Sequence, residues 1–294
     1  MKLLILTVLI TGNIPAVANP GGSTPPAPAV LSAQLWPVVR TLSASEDVQQ
    51  MYSNIFAQLE YHGSEFQRIL ENTLQASPKV VEAVTRRWNR PAETLDYNNY
   101  RKIFINDERL RAGKKFHDTH RELVHHIAAT YGVDEYILLA IIGVESMYGA
   151  SHADYRVVDV FHTVAHDIPR KRQWAERELL QFFNFCIDNQ LDPGTVWGSY
   201  AGAIGYAQFI PSSLNSYGKD NNGDGRVDPY IWEDALESVA NYLVQNRYER
   251  KSTDFNRDSR NWKSIYTYNH SDNYVKVVIE FRTELKRVIE TNRG

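Results

Sequence analysis

Apolar residues from Asp47 to the C-terminus recur at three- and four-residue spacing and do not alternate convincingly anywhere, which predicts helices and no large sheet. Asp47 to Leu74 is amphipathic with a helical period. Ser77-Pro78 starts a second helix, with proline at its first position and Val80, Val81 and Val84 turned inward. Tyr97 to Ile105 is aromatic-rich and less regular. Leu110 to Tyr131 reads as one long helix stopped by Gly132. A shorter, greasier helix follows, from Asp134 to a glycine turn at Gly149. Ala165 to Pro169 is a break, and Arg170 to Asn189 is helical again. Trp197 to Ile210 is aromatic and interrupted by glycines. A helix from Ile231 to Arg250 follows an acidic loop, and Trp262 leads through an aromatic turn into a last helix at Tyr274–Thr291. There is no internal repeat. The expected class is mainly α.

One polar residue breaks the pattern of the greasy helix. Leu138, Ile141 and Ile142 mark its buried face, and Glu145 lies three and four positions further along that face. Desolvation disfavours a carboxylate among apolar neighbours, and the negative end of the helix dipole acts in the same direction, so a raised pKa is expected. A carboxyl kept protonated near neutral pH suits a general acid. Helix position alone favours the other reading, a structural glutamate paired with a buried arginine or backbone donors. The rest of the chain tips the balance towards the acid.

The acidic loop Asp220-Asn-Asn222-Gly-Asp224-Gly225-Arg226-Val227-Asp228 matches the first nine positions of an EF-hand. Oxygen-bearing side chains occupy positions one, three, five and nine, with Gly225 at the sharp turn. Position twelve is Ile231 where a glutamate is usual, so Glu233 or Asp234 would have to close the shell. Calcium is favoured over a solvated Asn/Asp/Gly turn. In Gly202-Ala-Ile-Gly205-Tyr206-Ala-Gln208-Phe209, two glycines permit close backbone approach, and Gln208 both donates and accepts. Other chemistries are excluded: Gly198-Ser199-Tyr200-Ala201-Gly202 has the wrong spacing for a nucleophile elbow. His162 and His166 lack the glutamate of a zinc-protease helix, and no phosphate-cradling glycine loop occurs. His125-His126 reads as helix surface.

Composition narrows the setting. With 43% hydrophobic and 23% charged residues, 17 Tyr and 6 Trp, the 294-residue chain is ordinary globular material. A net charge of −3 gives no footprint for nucleic acid. Lys2, the apolar run Leu3–Ile10 and the small-x-small Ala16-Val17-Ala18 read as a signal peptide over residues 1–18. Residues 19–45, rich in Pro, Gly, Ser and Ala, read as a disordered linker. The single cysteine, Cys186, reads as a buried hydrophobe, so no internal disulfide forms and no lipid-bearing cysteine follows the cleavage site. An exported protein without a membrane anchor is expected, soluble in the periplasm or secreted.

Gly143-Val-Glu145-Ser-x-Tyr-Gly149, Gly202-Ala-x-Gly-Tyr-x-Gln208-Phe, the acidic loop and Tyr268-Asn-x-Ser-x-x-Tyr274 occur in that order. Together they resemble the lytic murein transglycosylase B family from about Asp47 to the C-terminus. The resemblance implies a lysozyme-like catalytic core over residues 131–294, a helical domain over 46–130 that contributes to the cleft, and an EF-hand-like loop. It implies cleavage of the MurNAc–GlcNAc bond of peptidoglycan without water, leaving 1,6-anhydro ends, with Glu145 as acid and then base and no cofactor for the chemistry. It also implies a sugar cleft lined by Tyr100, Arg170, Lys171, Ser199, Gln208, Tyr268, Asn269 and Tyr274. The implied calcium ligands are Asp220, Asn222, Asp224, the carbonyl of Arg226, and Asp234. Lys171 departs from the family's second arginine, and lysine lacks the guanidinium fork. Peptidoglycan strands are the expected partner. A lysozyme-type hydrolase using a second carboxylate, and a non-catalytic peptidoglycan-binding scaffold, are the rival functions. Asp154 and Asp159 are near Glu145 in sequence, but spacing does not place either opposite it.

Overall fold

The computed structural model describes residues 95–151 and 153–291, with His166 by its backbone alone, and isolated positions at 55, 82 and 84–86. The expected signal peptide, the linker and most of the two helices before residue 95 lie outside the described residues. Helices dominate: α1 (Tyr97–Phe104), α2 (Asp107–Tyr131), α3 (Glu135–Ser146), α4 (Val157–Asp167), α5 (Arg172–Asp188), α6 (Pro211–Tyr217), α7 (Trp232–Gln245), α8 (Arg260–Tyr268) and α9 (Asp272–Thr291). Two-residue strands β1 (Tyr155–Arg156) and β2 (Trp197–Gly198) pair antiparallel, Tyr155 opposite Gly198. No single described helix is long and apolar enough to cross a membrane.

α3 is the hub. Asp134 caps it, accepting from the amides of Tyr136 and Ile137 at 2.9 and 3.1 Å. Every residue from Tyr136 to Ser146 is buried, so the helix has no solvent face; the Leu138/Ile141/Ile142 stripe is only part of its contact surface. α2, α7 and α9 pack around it, and one hydrophobic core runs through the described elements. Gly143 and Gly113 allow close approaches between α2, α3 and the turn that follows. A Cβ on Gly143 would lie 2.5 Å from the Tyr148 hydroxyl, and one on Gly113 would lie 2.4 Å from the same atom. The Tyr148 ring therefore fills a notch made by two glycines on two helices.

Several boundaries differ from the pattern reading. Tyr97–Phe104 is a regular helix: the Asp96 side chain caps it, accepting from Asn99 N at 3.1 Å, and Tyr100 and Phe104 are buried one turn apart. It docks on α9 through Glu280, which accepts from the Tyr97 hydroxyl and from Arg101 Nε, both at 2.6 Å. α2 ends at Gly132 in the left-handed region, as expected, but is kinked at His120 (φ −114°, ψ 22°). α7 stops at Gln245, five residues early, because Arg247 adopts φ 68°. The aromatic turn after Trp262 is itself helical, α8, started by the Ser259 cap. His125 and His126 are exposed on α2, as read.

Candidate active site

Glu145 sits in the last turn of α3 and is only 5% exposed. The helix does not end on a glycine. Met147 is its C-cap at φ 52°, Tyr148 follows at φ 57°, and only then comes Gly149 at φ 80°. Two successive non-glycine residues in the left-handed region are strained, and such strain persists only where the surroundings enforce it. Ser146 enforces it here: its hydroxyl accepts from the Gly149 amide at 3.2 Å and donates to the Ile142 carbonyl. Tyr148, locked in the glycine notch, holds the other side. Gly143, Ser146, Met147, Tyr148 and Gly149 thus shape the turn that presents Glu145.

The polar partner of Glu145 comes from α9. The Tyr274 hydroxyl donates to Glu145 Oε1 at 2.6 Å, and Tyr274 is fully buried. Tyr268, at the end of α8, lies parallel to it with ring centroids 6.3 Å apart and donates to the Ala207 carbonyl. Burial first, then the charge of Glu145, pushes both hydroxyls well above the ordinary tyrosine value, which keeps them protonated donors. Their rings lie parallel inside the protein, and Tyr274 meets the carboxyl with its hydroxyl. Tyr100 is likewise fully buried on α1.

The Gln208 segment forms the next wall. Ser199 is buried, and its hydroxyl accepts from the amides of Ala201 and Ala203 at 3.2 Å, so it clips the hairpin shut. Gln208 has φ 50° and is half-buried, and its side-chain amide donates to the Gly205 carbonyl at 2.7 Å. Gly205 (φ 73°) has no room for a side chain, since a Cβ would lie 2.2 Å from the Pro229 carbonyl; the Tyr206 amide donates to that carbonyl at 2.9 Å. This seam joins the segment to the acidic loop. Asn269, the C-cap of α8, keeps its side-chain NH2 buried with no protein partner. Arg170 and Lys171 stand on a separate 3-10 turn, Arg170 exposed and Lys171 with Nζ 5.9 Å above the Trp174 ring. Asp154 is exposed, and Asp159 is ion-paired with Arg156 at 2.6 Å.

In the acidic loop, Asp220 accepts from the amides of Gly223 and Gly225 at 2.7 and 2.8 Å, and Asn222 and Asp224 form successive turns of the same kind. Gly225 takes φ 85°. Asp234, 1% exposed in the first turn of α7, reaches back to the amides of Asn221 and Asp228, both at 2.8 Å, and so ties the two arms together. Its desolvation, only partly offset by these amides, pushes its pKa up. Among the described residues no three Asp, Glu, His or Cys side chains converge as a metal shell. The donors here are three carboxylates, an amide oxygen and the Arg226 carbonyl, an all-oxygen set whose chemistry fits a hard cation.

Two features escaped the pattern reading. An aromatic cluster of Phe116, His120, Tyr206 and Trp232 backs the Glu145 turn. Trp232 stacks on Tyr206 with centroids 3.7 Å apart, and Phe116 lies 5.1 Å from Tyr148. Trp197 nearby in the chain is 47% exposed, its carbonyl accepting from the Tyr230 hydroxyl. The second is Arg109, buried at the start of α2 with its Nη1 on the Gly143 and Val144 carbonyls. The aromatics are spread over three segments, and Arg109 precedes the helix pattern read from Leu110.

A helical core with the buried Glu145 at a strained helix end matches the lysozyme-like core that the resemblance implies. The family model described as the transglycosylase SLT domain matches residues 43–258, and the chain belongs to that family. It is 34% identical over 192 residues to the membrane-bound lytic murein transglycosylase B of Escherichia coli K12, a match covering 62% of this chain and 53% of that protein, so it spans about half the length of that relative. The soluble lytic transglycosylase SltB1 of Pseudomonas aeruginosa, solved as a catenated form, superposes with a TM-score of 0.74 at 26% identity, over 84% of this chain and 99% of that one. The Escherichia coli lytic transglycosylase SLT35, solved in complex with calcium, gives the same TM-score at 24% identity over 84% and 95%, and there the likeness is one of fold.

Proposed function

We propose that this protein is a lytic transglycosylase of peptidoglycan that breaks the MurNAc–GlcNAc bond without water. The observation that carries the reading is the buried Glu145 with the Tyr274 hydroxyl 2.6 Å from its Oε1. Protonated Glu145 donates its proton to the glycosidic oxygen as the C1–O bond breaks. The resulting carboxylate takes the proton of the muramic C6 hydroxyl, whose oxygen bonds to C1 and closes the 1,6-anhydro ring. The nucleophile belongs to the substrate, so one carboxyl serves both steps. A hydrolase would need a second carboxyl roughly 5–9.5 Å away, and Asp159 is engaged by Arg156. Tyr274 fixes the orientation of the carboxyl. Gln208, Asn269, Ser199, Tyr100, Arg170 and Lys171 are assigned to the cleft and its supports, with Asn269 offering a buried donor. Names of relatives with this activity support the assignment. The substrate lies outside the cytoplasm, in keeping with the expected signal peptide.

The test is product analysis. Digested peptidoglycan is expected to yield anhydromuropeptides by mass spectrometry. Glu145→Gln keeps the shape and cannot shuttle a proton, so the rate should fall by about 10²–10⁴-fold or more. Reducing ends in the parent digest would make the protein a hydrolase, and parental turnover by a folded Glu145→Gln protein would remove Glu145 from the chemistry.

The acidic loop, in the same reading, holds one structural calcium through Asp220, Asn222, Asp224, the Arg226 carbonyl and Asp234. The ion would brace the seam at Gly205 and Pro229 and take no part in bond cleavage.

A further inference from the structure

Arg109 is 6% exposed, yet among the described residues no carboxylate lies within ion-pair distance of it. Its Nη1 donates to the Gly143 carbonyl and, at 3.4 Å, to the Val144 carbonyl, and its guanidinium lies 5.3 Å from the Phe104 ring centroid. Its Nε is buried without a partner. Burying a charge this way is costly unless something local repays it. Both carbonyls lie in the last turn of α3, at the negative end of the helix dipole, and the Gly143 carbonyl also accepts from the Met147 amide at 3.2 Å. They immediately precede Glu145 in the chain. Burial lowers the pKa of the guanidinium, and the fields of Tyr148, Glu108 and Glu145 oppose that. The Glu145 carboxyl is thus within the field of this cation.

We propose that Arg109 is the positioning residue of Glu145: it pins the carbonyl end of α3 and supplies the positive field in which the glutamate works as a base. The inference rests on Glu145 being the acid/base. A single carboxyl that acts twice meets conflicting demands. Burial and the helix end both disfavour its charged form, which the second step requires. A cation over the carbonyls cancels the helix-end contribution and steadies the carboxylate, without touching the sugar. Among the described residues, Arg109 from α2, Tyr268 from α8 and Tyr274 from α9 act on Glu145. Of these only Arg109 is positive.

The test is the pH profile of anhydro-product release by Arg109→Gln and Arg109→Lys, with melting curves beside it. Cleavage starts from protonated Glu145, so activity falls as pH rises through its titration. Deleting the positive charge should move that alkaline fall upward by about one pH unit, lower kcat and leave KM unchanged. Arg109→Lys should keep the fall at the parental pH and recover part of kcat, since it retains charge but not the fork. An unmoved alkaline fall in folded Arg109→Gln overturns the inference. Should Arg109→Gln and the longer apolar Arg109→Met both fail to fold while Arg109→Lys folds with parental kcat, Arg109 serves the fold alone, and the inference is overturned again. A parent that releases no anhydro products overturns the functional reading and this inference together, whereas a parent that releases them leaves the two separable.

Discussion

At the scale of single residues, the site is a carboxyl held on two sides. Tyr274 binds its oxygen from α9, and Arg109 holds the backbone just before it from α2. Tyr274→Phe isolates the first contact, because it removes one oxygen and keeps the buried ring. Hydrogen bonds to charged groups contribute about 1.5–3 kcal/mol, so kcat is expected to fall by about tenfold or more while the fold stays intact. Steady-state kinetics with a melting curve checks this, and parental kcat would reduce Tyr274 to packing. Glu145 and Tyr274 were both legible in sequence as members of ordered motifs. That Tyr274 reaches Glu145 itself was not, because 129 residues separate them and only the crossing of α9 over α3 brings them together.

At the scale of elements, the acidic loop and the turn after α3 are both built by side chains that capture backbone amides. In the loop, Asp220, Asn222, Asp224 and Asp234 all do so. An ion bound by the folded loop alone would add stability by mass action, about 1.4 kcal/mol at ten times its dissociation constant. The melting temperature is therefore expected to rise with millimolar calcium and fall with chelator. Magnesium should substitute poorly, since it demands a tighter octahedral shell. The rise should shrink in Asp224→Ala. Differential scanning calorimetry checks all of these, and a curve indifferent to calcium and chelator in metal-free protein would leave the loop a hydrogen-bonded turn. The loop's spacing was readable because its ligands are local in sequence. The glycine turn at Gly149 was legible, but not the stop two residues before it, because Met147 and Tyr148 take left-handed angles under tertiary constraint, which local propensity does not anticipate.

For the whole molecule, stability against pH carries a signature of Asp159 at the start of α4. Burial raises its pKa to about 6 despite the charge of and hydrogen bond from Arg156, and its Oδ1 is buried without a partner. A folded-state pKa above the unfolded value favours folding most below about 4. That contribution is lost as pH rises through about 6. The melting temperature should therefore drop between pH 4 and 6 by an amount equivalent to about 1–3 kcal/mol from this group. Asp159→Asn should flatten that segment of the profile, and an Asn variant whose profile parallels the parent's across it would contradict the assignment.

The sequence by itself determined the helical class, the position of Glu145, the acidic loop and the order of the motifs, because periodicity, caps and ligand spacings are local properties of the chain. Gly132, Asp134 and Gly225 do in the structure what their residue types imply. Only the tertiary structure decided which side chains meet Glu145, that α3 is buried on every face, that Tyr268 and Tyr274 stand behind the carboxyl, and that Arg109 is buried at all. Arg109, in the first turn of α2, is buried because the end of α3 packs against it. Burial and long-range pairing are set by how helices cross, and helical periodicity specifies which face of a helix is apolar without specifying what that face will meet.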